Sequence, residues 1–341
     1  MTRRTLFLMG VAGASGCMRG SRPRLNVFNW SSYVGSDTIP NFEGEFGVRV
    51  RYSVYESNEE MLSRVMSGNS GWDVVFPTSY LIEPMRSFAL LAKLDHSRLP
   101  NLRHLDPMFQ RPAWDPDLLW GVPYMWNATG ICYSDKIDDE LESWADLWDE
   151  DLQGRITMLD DPMDVFGACL KKLGLSINTQ NPNDLRAAQH EAIEQKELLR
   201  AYINAEVRDQ LVAGDVLAAQ MWSTTAQQAI DESKDLAFVF PEEGFALYPD
   251  VSVILRESKR QELAHEFLNY LLRPDVAAGI VKGARTACAN GTARSLLPEK
   301  IRDNPTLFPP DEVLARGEWV LSSTPEIQRL RDRLWTEIKS A

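Results

Sequence analysis

Asp161 and Asp164 make the strongest case for chemistry in this chain. They stand three residues apart in Leu159-Asp160-Asp161-Pro162-Met163-Asp164, which puts both carboxylates on one face of a helix's first turn. Spacing alone favours a capping role. Asp161 has the type of an N-cap, Pro162 suits the first helical position, and Asp164 at the third complements the helix dipole. The roles are compatible, since a capping carboxylate has two oxygens and the backbone occupies only one. A glycosidase-type acid pair needs carboxyls ~5–9.5 Å apart flanking a groove, whereas neighbours on one helix end point the same way. Asp250, in Leu247-Tyr248-Pro249-Asp250, is a third acid and by type a turn residue after proline.

Aromatic rings stand at comparable places. The run Leu25-Asn26-Val27-Phe28-Asn29 empties into Trp30-Ser31-Ser32-Tyr33, Asp73-Val74-Val75-Phe76 runs into Pro77-Thr78-Ser79-Tyr80, and Val216 to Trp222 exits into Ser223-Thr224. Each ring taken singly reads as packing. Taken together, rings and carboxylates form a site for an organic ammonium, because a cation over an aromatic face gains about 0.5–2 kcal/mol and carboxylates fix its N–H groups. Rings would sheathe the methylenes of an alkyl polyamine, and Asp161, Asp164 and Asp250 would hold its amines. The chain has no P-loop, GxGxxG, GxSxG or HExxH, and nothing in it supplies an activated nucleophile. No catalytic role and no cofactor are expected.

The elements that must position these turns follow from hydropathy. Strand patterns at 25–30, 48–55 and 73–76 alternate with helical stretches at 36–46 and 57–65, where Ser57 and Glu60 read as a capping box. Strand, helix, strand in that order means βαβ units and a parallel sheet, with ligand-binding turns at the carboxyl ends of the strands. After an irregular, proline-bearing stretch from Leu91 to Trp120, residues 121–133 read as extended chain crossing to a second α/β series. That series comprises a helix from Ser143, a strand at 155–159, helices at 161–173 and 184–199, and strands at 201–203 and 216–222. Residues 248–255 read as the crossing back. Two α/β lobes with two crossings make a clamshell: residues 25–129 with 251–292 as lobe 1, and residues 130–250 with 293–341 as lobe 2, closing about the crossings.

Composition narrows the partners. A 341-residue chain with 44% hydrophobic residues has room for two lobes. A formal net charge of -13 argues against nucleic acid or an anionic surface as partner. The start, Arg3-Arg4, an apolar run from Leu6 to Ala12, then Ala14-Ser15-Gly16-Cys17, reads as a lipoprotein-type signal over 1–17, followed by a tether at 18–24. Cys17 would be acylated and become the mature N-terminus, the only attachment to a membrane. Cys132, Cys169 and Cys288 are odd in number and widely spaced, neither a disulfide framework nor a metal set, and His96, His104, His190 and His265 are scattered.

From Leu25 nearly to its end the chain resembles the bacterial extracytoplasmic spermidine/putrescine-binding proteins of polyamine ABC transporters, which are type-2 periplasmic binding proteins. The resemblance rests on Phe28-Asn29-Trp30 with Tyr33, Tyr55-Glu56-Ser57-Asn58-Glu59, Asp73-Val74-Val75, Pro77 with Tyr80, and Pro123-Tyr124 with Trp126. It continues through Ser143-Trp144-Ala145-Asp146-Leu147-Trp148, Asp160-Asp161 with Phe166, Met221-Trp222, Leu271-Leu272-Arg273-Pro274-Asp275-Val276-Ala277 and Gly317-Glu318-Trp319. It implies an α/β, two-lobed type-2 fold, each lobe a mostly parallel sheet flanked by helices with the ligand cleft between. It also implies ring clamps at Trp30, Tyr33, Tyr80 and Trp222, with Tyr248 replacing a tryptophan, amine-binding acids at Asp161, Asp164 and Asp250, a hydroxyl at Thr78, and ABC permease subunits as partners of a monomer. Three positions depart from the family. Ser32 replaces an acid, Ala284-Arg285-Thr286-Ala287 replaces an aromatic-bearing turn, and Val320 replaces an amide. These departures leave two ligands open: a putrescine-like diamine, or an amine that also carries a carboxylate for Arg285 to meet.

Overall fold

The structure is a computed structural model that describes residues 22–204 and 206–341. The expected signal at 1–17 with Cys17, and residues 18–21 of the tether, lie outside these. Eleven strands are present among the described residues: β1 (Arg24–Trp30), β2 (Arg49–Tyr55), β3 (Val74–Val75), β4 (Val122–Ser134), β5 (Ile156–Met158), β6 (Leu199–Tyr202), β7 (Ala218–Trp222), β8 (Leu236–Val239), β9 (Phe245–Ile254), β10 (Ala287–Cys288) and β11 (Gly317–Trp319).

Two parallel sets stand at the ends of one hydrogen-bonded array, in the order β2-β1-β3-β9-β4-β7-β5-β6. In the first set β1 lies between β2 and β3, with Val27 opposite both Tyr52 and Val74. In the second, β5 lies between β6 and β7. Parallel neighbours need a crossover, and the helices Thr38–Phe46, Asn58–Met66 and Pro162–Lys172 supply it. The long strands β4 and β9 join the sets and run antiparallel to each other, with Met125 opposite Asp250 and Asn127 opposite Tyr248. β9 then meets β3, and the far end of β4 meets β7, Thr129 facing Trp222. The parallel strands expected in each set are present, and the two crossings add an antiparallel centre.

The crossing strands are apolar because they are covered on both faces: every residue of β9 is buried, as are all but Asn127 and Tyr133 of β4. Gly130 is required where β8 closes on β4, since a Cβ there would stand 2.4 Å from the Val239 carbonyl oxygen and 2.5 Å from the Phe238 ring. Gly47, at φ +66°, terminates the helix Thr38–Phe46.

Some local expectations change. Ser57 caps the helix Asn58–Met66 by accepting from the Glu60 amide, but the Glu60 carboxylate returns to the amide of Glu56 and not to that of Ser57. The helix expected from Ser143 is a 3-10 turn over Trp144–Trp148, held by a reciprocal Ser143/Asp146 capping box. Cys132, Cys169 and Cys288 are buried, separate thiols.

Candidate functional site

Between the two parallel sets lies a cleft of about 420 Å³, a volume ordinary for a small-molecule site. Its first wall grows from β1. The Asn29 side-chain oxygen accepts from the Trp30 amide at 2.8 Å, and the indole of Trp30 donates to the Phe76 carbonyl at 2.8 Å, which fixes the ring at the strand's end. Ser32 sits in the left-handed region at φ +53° and turns the chain so that Tyr33 points inward. The Tyr33 hydroxyl donates to Asp250 Oδ2 at 2.7 Å. Thr78, beyond β3, donates to the other Asp250 oxygen at 2.8 Å. Asn58 completes the wall, its amide donating to Thr78 Oγ1 and to the Tyr80 hydroxyl at 3.0 Å each.

Asp250 and Tyr248 come from the crossing strand β9. Being two apart on a strand, they share a face, and that face is the floor of the cleft. Val320 is buried against Tyr248.

The opposite wall begins where β5 ends. Asp161 is the N-cap of the helix Pro162–Lys172, one oxygen accepting from the amides of Met163 at 2.7 Å and Asp164 at 3.3 Å. The expected capping role is present, and the second oxygen takes no capping bond. Asp164 is 2% exposed and accepts from the Trp222 indole at 3.0 Å. Its other oxygen, Oδ1, and the Tyr248 hydroxyl are both buried without a well-formed hydrogen bond, although the hydroxyl stands near enough to the carboxylate to favour its ionised form. A buried carboxylate oxygen with so weak a partner is costly, and an ammonium placed against it would lower that cost.

All three acids are held above the ordinary carboxylate range. Burial pushes Asp250 up to about 7, moderated by the Tyr33 and Thr78 hydroxyls. Burial and the charge of Glu59 push Asp161 up to about 6, against the pull of the Met163 and Asp164 amides and of Arg331. Asp164 is raised by burial first, then by the charge of Asp161. A cation in the cleft favours the ionised forms.

The cleft is lined by Trp30, Ser32, Tyr33, Thr78, Tyr80, Asp161, Asp164, Trp222, Tyr248 and Asp250, so the structure brings together residues that the chain spreads over more than two hundred positions. Arg285 is the correction. It stands at φ +57° just past the helix Pro274–Ala284, and its Nε donates to Asp231 Oδ2 at 2.7 Å, away from the cleft lining. Its neighbour Thr286 turns inward instead and bonds Thr224, a cleft residue, at 2.7 Å. The arginine that does line the cleft is Arg208, faced by Asp209 at 3.2 Å and Glu232 at 3.6 Å.

Sequence reasoning also passed over Glu56, Asn58, Asn127 and Met163 as cleft residues. Asn127 carried a signal as a lone amide in an apolar run. Asn58 carried none, because its place behind a capping serine reads as helix start. Glu56 accepts from Ser31 Oγ at 2.9 Å and sets an acid beside the turn in which Ser32 lacks one.

Comparison with known proteins agrees with this geometry. The profile of the bacterial extracellular solute-binding proteins matches residues 38–309. The putrescine-binding periplasmic protein PotF of Escherichia coli (strain K12) is 33% identical over 97% of this chain and 95% of its own. The spermidine/putrescine-binding periplasmic protein of Salmonella typhimurium is 33% identical over 90% of this chain and 89% of its own. Among solved structures, a putative spermidine/putrescine ABC transporter from Listeria monocytogenes superposes with a TM-score of 0.88 at 30% identity, covering 93% of this chain and 98% of that one. The TpPotD lipoprotein of Treponema pallidum superposes at 0.84 with 26% identity, over 92% and 99%. The fold is the two-lobed type-2 periplasmic-binding-protein fold, with its cleft between the lobes. The chain belongs to the bacterial extracellular solute-binding proteins.

Proposed function

We propose that this protein is the extracytoplasmic binding component of an ABC transporter, and that it captures a putrescine-like polyamine and presents it to membrane permease subunits. The observation that carries the reading is the set of two buried acids, Asp164 and Asp250, with the half-buried Asp161 among the rings of Trp30, Tyr80, Trp222 and Tyr248 in one cleft. The rings sheathe the methylenes; Asp164 with Asp161 takes one ammonium, and Asp250 orders the floor. Putrescine and spermidine are named in the ligands of the relatives, which supports an amine over a sugar. Because Arg208 is already faced by Asp209 and Glu232, the cleft favours a plain amine over one that carries a carboxylate. Asp161 and Asp164 share one helix end instead of flanking a groove, which supports capture without catalysis.

Residues 25–129 with 251–292 and residues 130–250 with 293–341 act as the two lobes of a monomer, closing about β4 and β9. Calorimetric titration tests the ligand. Saturable one-to-one binding of putrescine or spermidine, with a smaller radius of gyration in the bound state, is expected. Tight binding of an amino acid or sugar with no response to either amine contradicts the reading. Cys17 serves as the lipid-bearing N-terminus, as the Treponema pallidum relative being a lipoprotein supports. A Cys17→Ser variant should move from the membrane fraction to the soluble fraction, and an unchanged distribution rules the anchor out.

A further inference from the structure

Arg331 is a fully buried guanidinium, 1% exposed, on the C-terminal helix Pro325–Ser340. Arginine stays charged under such conditions, and a buried charge requires compensation. Its hydrogen bonds go to neutral atoms: Met163 Sδ, Ser323 Oγ at 3.2 Å and Gln328 Oε1 at 3.4 Å, while Nε has no partner. Among the described residues no carboxylate forms an ion pair with it. The sulfur it touches belongs to Met163, a cleft residue between Asp161 and Asp164 in the chain. Ser323 adjoins Ser322, whose hydroxyl donates to the Tyr80 carbonyl at 2.6 Å. The guanidinium therefore lies directly behind the acid end of the cleft, one side chain removed from the ligand space. The groups whose charge it feels are Tyr248 from β9, Asp332 on its own helix, Tyr80, and Asp161.

We propose that Arg331 is a positioning residue for the ligand: a built-in cation behind Asp161 that offsets part of the acid pair's negative charge and matches the cleft to a dication over a trication. This rests on the polyamine reading above and deepens it. The balance is local to one end of the cleft: Asp161 and Asp164 carry two negative charges when ionised, and Arg331 behind them supplies one positive charge, which matches that end to a single ammonium. The other charged lining residues are Glu56, Glu206 and the Arg208–Asp209 pair, and a trication that sets two ammonium groups against the acid pair finds charge there for one. Asp161 is acted on by Glu59 from the helix Asn58–Met66, by Asp164 on its own helix, by Tyr80 and Tyr248, and by Arg331. Arg331 is the cation of that group. Removing its charge should make Asp161 harder to ionise and the cleft more negative once ionised.

The experiment pairs Arg331→Met and Arg331→Lys with Gln328→Glu, which keeps the arginine and sets a carboxylate beside it from a half-buried position. Two readouts are taken: carboxyl NMR titration of Asp161 in the unliganded protein, and the putrescine and spermidine dissociation constants at pH 8.5. Arg331→Met should raise the Asp161 midpoint by about one pH unit and shift the affinity ratio about tenfold toward spermidine. Gln328→Glu should move both in the same direction, and Arg331→Lys should stay near wild type. If Arg331→Met does not fold, Gln328→Glu decides. An unmoved Asp161 midpoint with an unmoved ratio in the folded variants overturns the proposal. Wild-type protein that binds neither amine would overturn the polyamine reading instead, and the Asp161 titration would still judge the charge role of Arg331.

Discussion

Asp250 shows how the cleft trades stability for a charge it can use. It is 3% exposed, both oxygens accept hydroxyl donors, and its carboxyl is pushed up to about 7 by burial. Because that value lies above the ordinary one, the unliganded fold holds the proton more tightly than the unfolded chain does. Its stabilising contribution is fully present below about pH 4 and is lost as pH rises through about 7, amounting to at most ~4 kcal/mol at roughly 1.4 kcal/mol per pH unit. Asp250→Asn removes the titration while keeping the shape. The unliganded variant should melt higher than wild type at pH 8, and the melting difference between pH 5 and pH 8 should shrink. Putrescine affinity should fall by at least about tenfold, the loss of one well-placed charge. A variant that binds as wild type does would remove Asp250 from the site. At this scale the acids were legible in the sequence, since their types and strand-exit positions stand in the chain. Asn58 and Arg331 were not. Each acts through contacts with residues far away in the chain, and no spacing rule reports such contacts.

At the scale of elements, the crossings decide whether the two walls face each other. β4 and β9 read as extended apolar chain, and the structure makes them the antiparallel centre of the array. What the pattern does not report is how closely a third strand approaches. Gly130 in β4 has no room for a side chain, with the Val239 carbonyl oxygen and the Phe238 ring both within 2.5 Å of a would-be Cβ. Gly130→Ala should therefore push β8 off β4 and destabilise the fold by about 1–3 kcal/mol, an overpacking cost. Thermal unfolding measures it, and an unchanged melting temperature would mean that β8 yields freely. Arg285 teaches the complementary lesson. At the left-handed helix end Arg285 turns out toward Asp231, while Thr286 turns in and bonds the cleft residue Thr224. One step in register separates a contact to the cleft wall from a surface ion pair, and helix ends read from sequence carry an uncertainty of that size.

Over the whole molecule, acids held above the ordinary carboxylate range in a cleft between two lobes are placed to exchange protons for an organic cation. All three cleft acids are raised in this way. On the polyamine reading, a diammonium ligand competes with protons for these carboxylates. Raised carboxyl values make affinity increase with pH through about 6–7. The sequence foretold the clamshell and ten of the twenty-one lining residues but not this coupling, which depends on burial that the packing of both walls creates. The most direct measurement is calorimetric titration of putrescine at pH 5.5, 7 and 8 in buffers of differing ionisation enthalpy. Proton release on binding is expected at pH 7, with an affinity at least about tenfold weaker at pH 5.5 than at pH 8, the factor expected per pH unit of a displaced carboxyl proton. Binding with no proton release and the same affinity at all three values would contradict it.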